Sequence, residues 1–450
     1  MLRTKKAFAV LSSTVLLAGV LAGCGGNNST SNTNAGNTGN TANGDTEASP
    51  ATAEKVTLKI LIDNQTSLDG YQAVADEIEK RFNIATEFDL RPGGSEGDNL
   101  VKTRLATGDM DDMSFYNSGS LFKALDPAKY YVDLSDEPFL SNVMDVFKEA
   151  VSVDGKVYAA PGGSSQGGGW LYNKKVYTEL GLSVPKTWAE LMANNEKIKA
   201  AGKTAVIGSF KDSWTAQVVL LADYYNVQNE VPTFADDYTN NKAKFATTPA
   251  ALRGFEKMQE LKPYLNEDNL ATTYDTALKM LTEGTGVQYP MISFALSAIN
   301  STYPDKINDI GVFAQPSDTS DKNGLTVWMP GSLAIYKESP HVEEAKKWME
   351  FFLSPEGVAI LASKTKPDGP YMLTDAKLPD DSYEGVKDML PYFDAGTTAS
   401  ALEFESPLKG PNLPQISVES AIAIKTPEES AKAYDKDVEK QAKQLGLAGW

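Results

Sequence analysis

Five glycines fall within the eight residues GGSSQGGG, Gly162 to Gly169, between two runs of extended character, Val157–Pro161 and Trp170–Tyr172. Glycine is costly inside a helix and permissive in backbone conformation. The stretch therefore predicts a flexible crossing, where the chain leaves one lobe and enters another, and a ligand held between two lobes would sit beside it. A phosphate-binding loop also uses such glycines, but it needs a Lys-Ser/Thr pair after the last of them. Trp170-Leu171 stands there instead.

The sequence on either side of the crossing fits layers of strands and helices. Val56–Ile62 (VTLKILI) ends in continuous apolar residues, as buried parallel strands do. Tyr71–Phe82 places Val74, Ile78 and Phe82 on one helical face. Ile84–Leu90 reads as a strand, Asp98–Ala106 as a helix behind a glycine-rich loop, and Met113–Tyr116 as a third strand. The order β-α-β-α-β predicts an α/β fold around a mainly parallel sheet. Ligands of such sheets meet the loops at the carboxyl ends of the strands, which here carry Asn64, Gln65 and Tyr116. Val151–Pro161 predicts a hairpin turning at Asp154-Gly155. Further on, Thr187 and Glu190 form a capping box for a helix that stops at Gly202. Ser354-Pro355 is an N-cap followed by a first-position proline. Val287–Tyr289, Ile310–Phe313 and Leu333–Tyr336 read as strands and Met291–Asn300 as a helix. Trp188 and Trp348 lie on apolar helix faces and are expected in the core.

The N-terminus carries Arg3, Lys5 and Lys6 before the apolar run Ala7–Ala22, the pattern of a secretory signal. The run ends Leu21-Ala22-Gly23-Cys24, which looks like a bacterial lipobox and would leave Cys24, the only cysteine, lipidated. Residues 25–54 hold no Leu, Ile, Val or Phe, so they cannot bury a core and are expected to be a disordered tether. One histidine and one cysteine exclude a histidine cluster, a cysteine-zinc site and a disulfide framework. The net charge of -18 speaks against a nucleic-acid partner. No metal or cofactor is implied.

Taken together, these pieces resemble the bacterial extracellular solute-binding proteins of carbohydrate ABC importers, the maltose-binding-protein-like group. The resemblance runs through VTLKILI, GKVYAAP, WLYNKKVYTELGL, PKTWAEL, KDSWT, LTEGTGVQY, INDIGVFAQP, PGSLAIYKESPHVEEAKKWMEFFLSPEG and GPNLPQIS, in that order. It implies a two-lobed periplasmic-binding-protein-like fold of type II, with discontinuous lobes joined by a hinge. Lobe 1 would comprise residues 55–161 and about 307–362, and lobe 2 about 168–303 and 370–450. The crossings would fall near 161–168, 303–307 and 362–370. Gln166 stands at the place of a pocket carboxylate, and Trp214, Phe294 and Tyr116 stand at pocket aromatics. Trp328 occupies the place before the returning strand where other members put an aromatic or glycines. The family aromatic after the PNxPQxS motif falls at Glu419 or Ser420, so maltose-type stacking is missing there.

The function implied is that of a monomeric, non-enzymatic binder that passes a carbohydrate, an oligosaccharide, to an ABC permease. The lipid at Cys24 would hold it on the outer face of a Gram-positive-like cytoplasmic membrane. A binder of a polyamine or peptide and a sensory ligand presenter remain open alternatives. A secreted glycosidase with two carboxylates is a further one.

Overall fold

The computed structural model describes residues 55–450 apart from Gln65. The expected signal and tether, with Cys24, and the candidate Gln65 lie outside the described residues. No described helix is long and apolar enough to cross a membrane.

Two sheets organise the chain. The first contains β1 (Val56–Asp63), β2 (Ile84–Arg91) and β3 (Met113–Tyr116). A small hairpin, β4 (Ser152–Val153) and β5 (Lys156–Val157), turns at Asp154 and Gly155, both with positive φ, as the sequence predicts. β6 (Ala160–Pro161) then returns to the first sheet, whereas β7 (Gln166–Asn173) starts the second. The second sheet also contains β8 (Thr204–Val206), β9 (Gly286–Ile292), β10 (Ile310–Ala314) and β11 (Leu325–Trp328). β12 (Ser332–Ile335) rejoins the first sheet and β13 (Thr398–Ser400) the second. The strand order is β2-β1-β3-β12-β6 in the first sheet. In the second it is β13-β11-β7-β9-β8, with β10 also on β7. β1 lies parallel to β2 and β3, as the β-α-β order requires. But β12 runs antiparallel to β3 and β6, and β7 antiparallel to β9, β10 and β11, so both sheets are mixed and not mainly parallel as expected.

β7 is the spine of the second sheet, and its alternation separates two cores. Trp170 and Tyr172 point into one with Val287 and Phe313. Leu171 points into the other with Tyr289 and Val312, and that core continues under the first sheet. Trp188 and Trp348 are buried, as their helix faces predict. The Thr187–Glu190 capping box and the Ser354 cap are both formed.

Two further expectations need correction. Gln166–Gly169 is not part of a flexible crossing but the start of β7, paired with β9, β10 and β11. Its glycines serve close approach. A Cβ on Gly169 would overlap Phe313 O, and one on Gly168 would overlap the Trp328 ring. Sheet hydrogen bonds come from the backbone, so a glycine run fits wherever neighbours leave no room for side chains. The crossing shrinks to Gly162–Ser165.

The chain also does not cross at 303–307. β9 and β10 both pair with β7, so the turn through Pro304–Asp309 stays in the second lobe. The return lies at Met329–Gly331, between β11 and β12, so residues 307–328 belong with lobe 2. A third passage runs between the helix Pro355–Lys364, packed on the helix Asp69–Phe82, and the helix Glu384–Lys387, packed on β10. The three passages lie side by side. Gly162 N–H donates to Gly331 O at 2.7 Å and Ser165 N–H to Pro370 O at 2.9 Å.

Candidate functional site

Where the passages meet, a cleft of about 810 Å³ opens between residues of the two sheets. On the first-sheet side the carboxyl ends of the parallel strands supply Asp63, Arg91 and Tyr116. Arg91 is almost fully buried; its guanidinium lies 3.4 Å from the Asp63 carboxylate and 5.5 Å over the Tyr116 ring. The Tyr116 hydroxyl donates to Asp98 Oδ1 at 2.9 Å. Burial, followed by the Asp98 charge, pushes this phenol above its usual range, so it stays neutral and its ring stays fixed.

The second-sheet side supplies Gln166 and Trp328, which are partners in the β7–β11 register. The Trp328 indole is held at both ends. Its six-membered ring lies against Gly168, and its Nε1–H donates to Glu403 Oε1 at 2.5 Å. The other oxygen of Glu403 pairs with Lys409, and its carbonyl accepts from the Ser120 hydroxyl at 2.7 Å. Phe404 sits beside it, close against Gly119. The cleft thus has aromatic side chains on both sides and polar groups that are only partly held by protein partners, the buried Arg91 Nε having none.

The third passage adds Asp368. Burial pushes its carboxyl up to about 7, against the opposing hydrogen bond from Ser297. A carboxyl raised in the fold above its ordinary value near 3.8 costs stability as pH climbs from there to about 7. Asp368→Asn is therefore expected to raise the melting temperature at about pH 8 and not at about pH 4. Differential scanning fluorimetry at the two pH values checks this.

Of the residues singled out in the sequence, Tyr116, Gln166 and Trp328 meet in this cleft. Asn64 is exposed on the loop after β1 and does not line it, although Asp63 and Thr66 on either side of the loop do. Trp214 and Phe294 are elsewhere. They form a second aromatic group with Tyr274, at ring distances of 5.4 Å (Trp214–Tyr274) and 6.0 Å (Trp214–Phe294). Asp368 connects the groups: it lines the cleft, and its charge acts on Tyr274. Sequence reasoning missed Arg91, Asp368 and Glu403. Arg91 had a signal, since it ends a parallel strand beside Tyr116; the other two had none.

This geometry, a cleft bounded by two sheets and crossed by three connecting strands of chain, also has counterparts among known proteins. Residues 63–359 match the family described as bacterial extracellular solute-binding protein. The chain belongs to that family. The family is described by the binding of solutes outside the cell. One similar protein is the multiple sugar-binding protein of Streptococcus mutans, 27% identical over 264 residues. That match covers 56% of this solute-binding protein and 60% of the relative, less than two thirds of its length. The melibiose/raffinose/stachyose-binding protein MelE of Bacillus subtilis is 24% identical over 370 residues, covering 77% and 83%. In fold, the solute-binding protein is similar to apo RafE of Streptococcus pneumoniae, with a TM-score of 0.74 at 18% identity over 86% of this chain and 98% of that one. RafE in complex with raffinose gives 0.69 at 20% identity, over 86% and 100%. The fold is the two-lobed one of these binders.

Proposed function

We propose that this solute-binding protein captures a neutral carbohydrate, an oligosaccharide, in the cleft between its lobes and delivers it to an ABC permease. The observation that carries this is the composition of the cleft. Trp328 and Phe404 place aromatic rings in its lining, which suit the weakly positive C–H faces of a pyranose. Arg91, Gln166 and Asp368 can answer hydroxyls as donors and acceptors. The charged lining residues number three acids (Asp63, Asp368, Glu403) and three bases (Arg91, Lys366, Lys409). A polyamine site would need an excess of acid, so the balance favours an uncharged solute. The names of the relatives agree with this choice.

The ligand contacts assigned are Tyr116, Gln166 and Trp328, with the Trp214–Phe294 group as a further wall on the far side of Asp368. Binding acts by selecting the closed arrangement of the lobes. In this reading the protein is a monomer without catalytic activity, held at the outer face of the cytoplasmic membrane by a lipid on Cys24. Cys24→Ser is expected to shift the protein from the membrane fraction to the medium, which fractionation and immunoblotting would show.

Equilibrium dialysis against raffinose, stachyose and xylo-oligosaccharides, followed by chromatography of the retained sugar, tests the function. Retention of intact sugar is expected. Shortened products would identify a glycosidase, and retention of a polyamine alone would remove the carbohydrate assignment. Gly168→Ala provides a local check. Its Cβ would collide with the Trp328 ring, so sugar affinity is expected to fall about tenfold or more, the ~1–3 kcal/mol of an overpacked site. Unchanged affinity would show that the indole position does not matter.

A further inference from the structure

Asp368 is more closely held than a connecting residue requires. Its N–H donates to Ser164 Oγ on the first passage at 3.2 Å. Its carbonyl accepts from Ser293 Oγ at 2.6 Å, and the same serine oxygen accepts from Gly167 N–H of β7 at 2.9 Å. Its carboxyl Oδ1 accepts the Ser297 hydroxyl at 2.5 Å, and the carboxyl also takes a hydrogen bond from the Ser297 backbone, near the start of the helix Ala295–Thr302. No lysine or arginine pairs with this carboxyl among the described residues. The titratable groups facing it are Tyr274, from the helix Tyr274–Glu283, and Tyr383, before the helix Glu384–Lys387. On its own segment, Lys366 is held by Asp381 at 2.8 Å. Across the cleft, Arg91 is engaged with Asp63, and Glu403 with Lys409. Asp368 is thus a cleft-lining acid without a cation, fixed by three elements, with one carboxyl oxygen not taken by a side chain.

We propose that Asp368 is a ligand-contacting residue that exchanges a proton on binding: as a carboxylate it accepts a sugar hydroxyl on Oδ2, and any proton it carried leaves to solvent. This rests on the carbohydrate assignment above. The ordinary carboxylate range lies far below neutrality, but burial holds this acid near pH 7 in the free protein. A hydroxyl donated to the charged form favours that form. Binding therefore releases protons, and affinity rises with pH up to about 7 and flattens above it.

Calorimetric titrations of the wild type and of Asp368→Asn with raffinose and with stachyose test this across the pH range. Wild-type affinity is expected to be about 20-fold weaker at about pH 5.5 than at about pH 7.5. Binding heats in two buffers of different ionisation enthalpy are expected to report proton release, and Asp368→Asn to bind with a flat profile. A flat wild-type profile, or the same slope in Asp368→Asn, would overturn the proposal while sugar binding stands. If neither sugar binds at any pH, the carbohydrate assignment falls and this proposal with it. Ser297→Ala supplies a second variant. Loss of its donor to the charged form should move the midpoint of the profile to higher pH, and an unmoved midpoint counts against the proposal.

Discussion

Trp328→Ala is expected to weaken oligosaccharide binding by about 30- to 1000-fold, the ~2–4 kcal/mol of a buried aromatic anchor. The indole is placed by three independent features: the Gly168 surface beneath its ring, the Glu403 carboxylate on Nε1, and its position at the end of β11 where the chain turns into a passage. A wall fixed in this way loses little entropy when a sugar stacks on it. Trp328→Phe should cost less, because a ring face remains although the Glu403 hydrogen bond is lost. Fluorescence titration of the two variants decides the matter. If Trp328→Ala changes affinity by less than about threefold, below ~1 kcal/mol, the stacking surface lies elsewhere. Trp214→Ala, in the group with Tyr274 and Phe294, should then abolish binding instead.

The second large effect concerns the scaffold of the second lobe. Lys257 and Asp223 form an ion pair at 2.7 Å with side chains only 1% and 0% exposed. The ammonium also donates to Pro316 O at 3.1 Å and lies 5.5 Å from the Trp188 ring centroid. Asn226 donates to the same Asp223 oxygen at 2.8 Å. Asp223→Ala would leave a desolvated ammonium without its counter-ion, and breaking a buried pair from one side costs about 3–5 kcal/mol. Chemical denaturation should show a loss of that size. Replacing both partners with apolar residues, Asp223→Leu with Lys257→Met, should recover much of it, because an apolar pair carries no desolvation cost. A loss below about 1 kcal/mol for the single variant would mean that water reaches Lys257, contrary to its burial.

Much of this architecture could be read in the sequence because it is written locally. The continuous apolar run of β1, the Thr187–Glu190 box, the Asp154-Gly155 turn and the Ser354-Pro355 start each depend on neighbours a few residues away. What was misplaced depends on distant partners. The glycines of β7 are strand residues because Phe313 and Trp328 crowd them from more than a hundred residues away. The stretch 303–307 has the proline and polarity of a crossing, yet the pairing of β10 with β7 keeps it within one lobe. The site divides in the same way. Tyr116 was legible from its place at a strand end, and Gln166 and Trp328 from family resemblance. Asp368 and Glu403 act through contacts with Ser297 and Trp328, which no spacing in the chain reveals.

A thermal-shift screen with sugars, polyamines and short peptides tests the central claim most directly, because a solute that binds only the folded state raises the melting temperature. The cleft described here predicts an upward shift with one or more oligosaccharides and none with polyamines or peptides. A shift with a polyamine and with no sugar would contradict it.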